Sequence, residues 1–340
     1  MPKVVVSLVT HNESRDVERL LPTLFAQTHR DLLIVAVDNA SEDGTRATLA
    51  AFERTAPVPM TIVASPENTG FTGGHNAAIG RALAGGADWV LVLNADVVLD
   101  PAFVARLLEE AEKPAHREVA AVTGKILRAE GPELTPTPVL DTVGIRMTRG
   151  GRHFDVGSSL PDDGRFDRTA EVFGVSGCAA LYRAAALADV KISTGVFDDD
   201  YFVYREDVDL AWRLRGRGWR ALCVPAARAW HRRRNLPERR RAMSATANLH
   251  SVKNRFLLRV NNAGPRHLAA TFGRTFLRDL LVVGGCLTVE RSSLPALRWL
   301  AANRARLLAK REEILAVRRV PDRDLLRWFT DEPDGRRIPI

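Results

Sequence analysis

The sequence predicts an α/β fold, a mainly parallel sheet flanked by helices, followed by a basic helical extension. Short β-branched apolar runs alternate with helical patterns over the first 125 residues, and basic charge is concentrated after residue 230. "VVVSLV" (4–9), "LLIVAV" (32–37), "MTIVAS" (60–65), "WVLVLN" (89–94) and "VAAVTG" (119–124) read as buried strands. Residues 14–27, 42–54, 73–84 and 101–113 read as the helices between them. Such crossovers make neighbouring strands parallel and place ligands beyond their carboxyl ends. The polar groups "THNE", "DNASEDGT" and "NAD" sit at those ends.

From 129 to 170 the pattern turns irregular, with "GPELTPTP" and "LPDDGRFD", which reads as a long loop or small excursion, facing a partner rather than core. Order resumes in "EVFGVSGCAALYRAAAL" (171–187) and "ALCVP" (221–225). Beyond "HRRR" the chain reads as helical and basic to about residue 329.

Of the 340 residues 46% are hydrophobic and 26% charged, the composition of a folded soluble chain. Cys178, Cys223 and Cys286 are odd in number and far apart, which argues against a disulfide framework or a cysteine-ligated zinc and for a reducing compartment. "MPKVVVSLVTHNE" turns polar after one apolar run, so no leader is expected. "FLRDLLVVGGCLTV" (276–289) is too short to span a bilayer and carries Arg278 and Asp279. The expected location is the cytoplasm, with peripheral contact at the membrane's cytoplasmic face.

The net charge of +8 is unevenly placed. Residues 1–230 hold 25 Lys/Arg against 31 Asp/Glu, whereas 231–340 hold 24 against 10. That asymmetry suits an anionic partner, and solvated arginine-rich helix faces account for it equally. Arg274, Arg278, Arg298, Arg304, Arg306 and Arg311 alternate with Leu, Phe and Trp299, the pattern of amphipathic helices on a membrane surface. Packing against the rest of the chain or a second subunit is the alternative. No nucleic-acid-binding motif accompanies the charge, so no specific nucleic acid is expected.

Five constellations bear chemistry. Asp38, at the end of the second strand, suits a base imide or ribose hydroxyl, although Asn39, Ser41, Asp43 and Gly44 also make a turn there. In "NTGFTGGHNAAIGRAL" (68–83) glycines 70, 73 and 74 lead into a helix, which serves either phosphate approach or tight helix–sheet packing. "LVLNADVVLDP" ends an apolar strand in Asn94 and Asp96, a carboxylate suited to a hard divalent cation or to a strand-end cap. His231 in "AWHRRR" gains interest only if the fold brings it to Asp96.

The fifth is "FDDDYFVYREDVDLAWRLRGRGWR" (197–220), with five aspartates and one glutamate. On a helix beginning near Glu206, Asp209 stands four residues before Arg213 and Glu206 lies on the same face. Asp207 shares a side with Ala211 and Leu214 and has no cation on its own helix. It suits a general base, or a first-turn acid favoured by the helix dipole. Phe197, Tyr201, Phe202 and Tyr204 would wall the acceptor side that the family resemblance below implies, and the arginines read as pairing and solvating the helix.

In register, "VSLVTHNE", "VDNASEDGT", "NTGFTGGHNAAI", "LNADVVL", "GVSGCAALYRAAAL", "FDDDYFVYREDVDLAWRLRGRGW" and "VPAARAWH" resemble family 2 glycosyltransferases of the Rossmann-like GT-A fold, particularly the rhamnosyltransferase-like branch. The resemblance covers about residues 3–232. It implies a GT-A catalytic domain over 1–235, with a nucleotide-sugar half (1–125) and an acceptor half (126–235), then a helical extension (236–340). It further implies inverting transfer of a sugar, with rhamnose as that branch's candidate, from a dTDP-, UDP- or GDP-sugar to a glycan or lipid-linked acceptor, assisted by Mg2+ or Mn2+. Thr10, Asn12, Glu13 and Asp38 would hold the nucleoside, with Asn68, Gly70, Asn76 and Asn94 near the donor. Asp96 and His231 would meet the metal, Asp207 would be the base, and Gly177, Tyr204 and Glu206 would lie on the acceptor side. The D-x-D position reads Asn94-Ala95-Asp96, with an amide in place of one carboxylate. A catalytically inactive GT-A shell that uses its basic tail for binding is the rival reading. A sugar nucleotidyltransferase would need a glycine-rich loop after the first strand, where this chain has "THNESRD".

Overall fold

The computed structural model describes residues 1–233 and 244–332, with the backbone of 338–339. The first half runs β1 (Val4–Thr10), α1 (Ser14–Phe25), β2 (Leu32–Asp38), α2 (Thr45–Glu53), β3 (Met60–Ala64), α3 (Gly70–Ala84), β4 (Trp89–Asn94), β5 (Val97–Leu99) and α4 (Phe103–Ala111). Its strands lie in the order β3-β2-β1-β4, all parallel. Alternation along β1 sets the two faces: Val4, Val6 and Leu8 pack with Val17, Leu20, Leu21 and Leu24 of α1 and with Phe103 and Leu107 of α4. Val5, with Val35 and Val37 of β2, packs with Ala78, Ile79 and Ala82 of α3 on the other face. The α1 positions recur at helical spacing and are fully buried, each contributing about 1.5–3 kcal/mol.

The second half runs β6 (Val119–Glu130), β7 (Thr135–Thr142), β8 (Ile145–Met147), β9 (His153–Asp155), β10 (Ala170–Val172), β11 (Ala179–Arg183), α5 (Ala184–Asp189), α6 (Glu206–Arg217) and β12 (Arg220–His231). Strand β11 runs antiparallel between β4 and β6, and β12 returns parallel to β6. Residues 129–170, expected as a partner-facing loop, are instead built into the fold. Strand β7 pairs with β6, β8 with β9, and Leu140, Val143, Met147, Val156 and Phe166 are buried. Pro136 and Pro138 obscured β7 in the sequence; Pro is tolerated on an edge strand because its missing N–H breaks no central ladder.

The extension comprises α7 (Ala245–Asn262), α8 (Pro265–Thr288), α9 (Leu294–Ala302), α10 (Arg304–Ala316) and α11 (Asp322–Leu325), and β13 (Ile338–Pro339) pairs with β10. Much of its polar surface is spent on the preceding α/β body. Buried Lys310 bonds both oxygens of Asp198 at 2.7 Å, Asn261 donates to Asp198 at 2.9 Å, and Arg306 clamps Asp200 at 2.7 and 2.8 Å. Packing on the body therefore accounts for part of the tail's basic charge, as the alternative reading held. The outer side of α8 is different, since Phe272, Phe276, Leu277, Leu280, Leu281 and Leu287 are all exposed there. Among the described residues no single helix is long and apolar enough to cross a membrane. The expected division at 235/236 lies outside the described residues. All three cysteines are buried thiols.

Candidate active site

A cleft of about 730 Å³ opens beyond the carboxyl ends of β1 and β4. Thr10, Glu13, Asn39, Asn68 and Gly70 line one end, and Asn94, Asp96 and His231 line the middle. Residues of the β8–β9 hairpin, the 202–205 loop, α7 and α8 line the far side.

At the first end Asn39, which the sequence reading used only as a turn former, is the pin. Its Nδ2 donates to Asn68 Oδ1 at 3.0 Å and to the Gly70 carbonyl at 2.9 Å, while its Oδ1 accepts from the Thr69 N–H at 3.0 Å. Gly70 has φ +71°, and a Cβ there would collide with the carbonyl and ring of Phe202. Gly74 meets the packing reading instead, because a Cβ would strike Val9 of β1. Asp38 is buried at the end of β2 and accepts from the Ser41 N–H at 3.3 Å, so the turn reading is visible in its geometry. Asn12, in the left-handed region at φ 57°, accepts from the Glu42 N–H at 2.8 Å and closes the β2–α2 loop. Neither Asp38 nor Asn12 lines the cleft. Asn76 lies off the lining as well: it donates to the Phe197 carbonyl and Asp199, both at 2.7 Å, and accepts from Phe197 N–H at 2.9 Å.

In the middle, the pairing of β12 with β5 sets His231 opposite Val97, one residue beyond Asp96. His231 Nε2 stands 3.3 Å from Asp96 Oδ1, so the fold makes the meeting that the sequence reading required. His231 Nδ1 bonds Asp141 Oδ2 at 2.8 Å, a partner the sequence reading did not name. Burial alone would lower the His231 pKa, but the Asp96 and Asp141 carboxylates outweigh it and raise it well above the ordinary value. Cys178 lies close to Asp141 and His231. Its thiol is pushed up to about 11, chiefly by burial, and so stays protonated and is a poor ligand for a hard cation. An imidazole whose outer nitrogen is held by a carboxylate while the inner one meets an aspartate is the usual setting of a metal-bound histidine. The residues present therefore fit a divalent ion on Asp96 and His231, with Asp141 as the orienting group.

On the far side the acids of 198–209 sort themselves. Asp198 and Asp200 face Lys310, Asp199 faces Asn76, and Asp209 bonds Arg213 at 2.8 Å and Asn262 at 2.7 Å. The Asp209–Arg213 pair is as expected. Glu206 differs, because it does not join Arg213; it is buried, and its Oε2 finds no hydrogen-bond partner among the described residues. Burial, then the Asp207 carboxylate, raises the Glu206 pKa well above the ordinary value. Asp207 is half-buried and, like Glu206 and Gly177, does not itself line the cleft; it stands two residues after Arg205, which does. Its Oδ2 accepts from the Gly177 N–H at 3.2 Å and its Oδ1 from the Val208 N–H at 2.8 Å. Burial, then the Asp155 carboxylate, pushes it up to about 6, against the pull of those N–H groups and Arg233. Of the four aromatics, Phe202 and Tyr204 line the cleft, whereas Phe197 and Tyr201 are fully buried core. The arginines of α6 are also less solvated than expected: Arg213 and Arg215 are buried, the latter against Glu171 and over the Trp328 ring.

Residues 5–191, more than half of the chain, match the family model "Glycosyl transferase family 2". The chain belongs to glycosyl transferase family 2. It is 30% identical over 247 residues to the N-acetylglucosaminyl-diphospho-decaprenol L-rhamnosyltransferase of Mycobacterium tuberculosis, covering 66% of this chain and 75% of that one. It is 29% identical over 213 residues to the galactofuranosyltransferase GlfT1 of the same organism, covering 62% and 64%. Among solved structures it resembles GalNAc-T7 with UDP, GalNAc and Mn2+ (TM-score 0.59, 14% identity, 76% of this chain and 48% of that one). It also resembles the mannosyltransferase PcManGT of Pyrobaculum calidifontis with GDP-Man and Mn2+ (TM-score 0.52, 18% identity, 93% and 86%). These likenesses establish the GT-A fold, and the family 2 sequence match establishes a glycosyltransferase of the rhamnosyltransferase-like kind.

Proposed function

We propose that this glycosyltransferase moves a sugar from a nucleoside diphosphate to an acceptor hydroxyl with inversion, and that Asp207 is the base. Residues 1–125 form the donor half, 126–235 the acceptor half and 236–340 a helical extension. The nucleoside binds at Thr10, Glu13 and Asn68, with Asp38 and Asn12 shaping that end from behind and Asn76 bracing α3. Gly70, Asn94 and Asp96 meet the diphosphate sugar. Asp96 and His231 would hold Mg2+ or Mn2+, which when bound offsets the charge that gathers on the leaving diphosphate. Gly177 fixes Asp207 through its N–H, while Tyr204 and Glu206 complete the acceptor side.

The observation that carries the reading is the contrast within the acidic stretch. Four of its six acids are engaged by cations or amides, whereas Glu206 and Asp207 share one buried corner with no lysine or arginine hydrogen-bonded to either among the described residues. Two crowded carboxyls have their pKa values driven apart, so one stays protonated while the other ionises near neutrality. Asp207 is the one able to take a proton. As the acceptor oxygen forms its bond to the anomeric carbon, that proton passes to the Asp207 carboxylate. The bond from the anomeric carbon to the diphosphate oxygen breaks, and its electron pair leaves with the nucleotide. No covalent sugar–enzyme intermediate is needed, so the configuration inverts.

The rhamnosyltransferase relative is named for an acceptor on diphospho-decaprenol, which supports rhamnose as donor sugar, a lipid-linked acceptor and work on the cytoplasmic membrane face in cell-envelope polysaccharide synthesis. Asp207→Asn separates this reading from an inactive binding shell. Donor binding retained with transfer abolished supports the base; transfer at wild-type rate by the variant removes Asp207 from the role.

A further inference from the structure

The far wall of the cleft is basic, and the transfer chemistry above does not use it. Arg152, Arg205, Arg233, Arg255 and Arg278 all line it, drawn from the β8–β9 turn, the residue before α6, the end of β12, α7 and α8. Three carboxylates answer Arg233 and Arg255: Asp155 and Asp141 stand 2.5 and 3.2 Å from Arg233, and Asp279 stands 3.5 Å from Arg255. Arg255 is only 8% exposed, and its Nη2 finds no hydrogen-bond partner among the described residues. Burial, then Arg278, lowers its pKa to about 10, a repulsion that a bound anion would relieve. Guanidinium forks match phosphate oxygens two at a time, and several converging forks suit a diphosphate better than a single carboxylate.

Arg278 also connects this wall to the outer surface, because it lies on α8. Toward solvent that helix exposes Phe272 (63%), Leu277 (62%) and Leu281 (70%) among its large apolar side chains, with the Phe272 and Phe276 rings stacked 5.5 Å apart. A contiguous apolar face of this kind marks a binding surface; α8 alone is not apolar enough to span a bilayer, although α8 and Arg291–Ala302, bent by 109°, meet that test as a pair, and on an arginine-bearing helix such a face suits the plane of a bilayer.

We infer that the arginine wall is the site for the diphosphate of a lipid-linked acceptor, with α8 resting in the membrane surface so that the phosphate enters the cleft on the Asp207 side. The inference rests on the acceptor-transfer reading and adds to it the group that is recognised and the residues that recognise it. Because Asp96 and His231 take the donor diphosphate, Arg255 and Arg278 act on the acceptor alone.

Calorimetric titration of the whole protein with geranylgeranyl diphosphate, geranylgeraniol, inorganic pyrophosphate and the nucleotides UDP, dTDP and GDP tests this. The prenyl diphosphate should bind, and both Arg278→Ala and Arg255→Lys should weaken it about tenfold or more while leaving nucleotide affinity unchanged. Arg278 is not buried, so its variant reports even if Arg255→Lys disturbs the fold. Prenyl diphosphate bound equally well by wild type and Arg278→Ala overturns the assignment. Nucleotide affinity lost in the arginine variants would give the wall to the donor instead. Pyrophosphate or the prenol binding as tightly as the prenyl diphosphate would overturn the lipid source or the phosphate recognition respectively. Nucleotide binding to the wild type bears on the transfer reading separately, so the two fail independently.

Discussion

The pKa values of Asp207 and His231 are raised for opposite reasons, and each residue gives a prediction. Burial and Asp155 raise the Asp207 pKa to about 6, so its carboxylate is ionised above that pH and protonated below. Turnover per bound donor should therefore fall as pH drops through about 6, read from the pH profile of initial rates. Asp207→Asn should lower kcat by about 10²- to 10⁴-fold without changing nucleotide affinity. Asp141 orients His231, so Asp141→Asn should weaken Mn2+ binding by about 10- to 100-fold, measured by titrating free Mn2+. That Asp207 stands apart from Arg213 was legible in the sequence, because helical spacing turns it away and gives Arg213 to Asp209. Asp141 was not, since it lies 90 residues before His231 inside a segment that reads as loop, and only the β6–β7 pairing brings it inward. Asn39 was read as a turn residue, and its side chain's grip on residues 68–70 depends on the approach of α3 to β2.

At the scale of elements, the loop before α6 is held under strain. Phe202, Tyr204 and Arg205 have φ of 64°, 70° and 72°, conformations costing about 1–3 kcal/mol each, which persist only where surroundings enforce them. Asn254 of α7 is the enforcer: its buried Nδ2 donates to the carbonyls of Tyr201, Val203 and Tyr204 at 2.9, 2.8 and 2.7 Å. Asn254→Ala should cost about 1–3 kcal/mol in thermal or denaturant unfolding and quicken amide exchange across 201–205. Gly70→Ala should harm the same loop from the other side, since its Cβ would strike Phe202; a loss of stability with no faster exchange at 202 would contradict this. The elements of the first half were legible because four apolar strands alternate with helices of ordinary length. Strands β7 to β9 were hidden by prolines and glycines that belong to edges and tight turns. The end of α6 was written more openly, with Gly218 at φ 94° and the Trp219 N–H returning to the Leu214 carbonyl at 3.0 Å, a Schellman close.

Across the whole molecule one sheet joins both halves, and the extension packs against residues 198–209. The charge asymmetry visible in the sequence resolves into three uses: Lys310 and Arg306 lock the extension to Asp198 and Asp200, Arg255 and Arg278 turn toward the cleft, and other cations stay at the surface. Composition registered the excess but not this division, which depends on which side of each helix packs inward. At this scale the central claim is that a nucleoside-diphosphate sugar and a divalent ion occupy the cleft together. The direct measurement is thermal unfolding with UDP-, dTDP- and GDP-sugars, each with and without Mn2+, on the wild type and Asp96→Asn. The account predicts that at least one nucleotide sugar raises the wild-type Tm more with Mn2+ than without, and that Asp96→Asn loses the Mn2+-dependent part. No response to any nucleotide sugar, or an Mn2+-dependent rise that survives in Asp96→Asn, would contradict it.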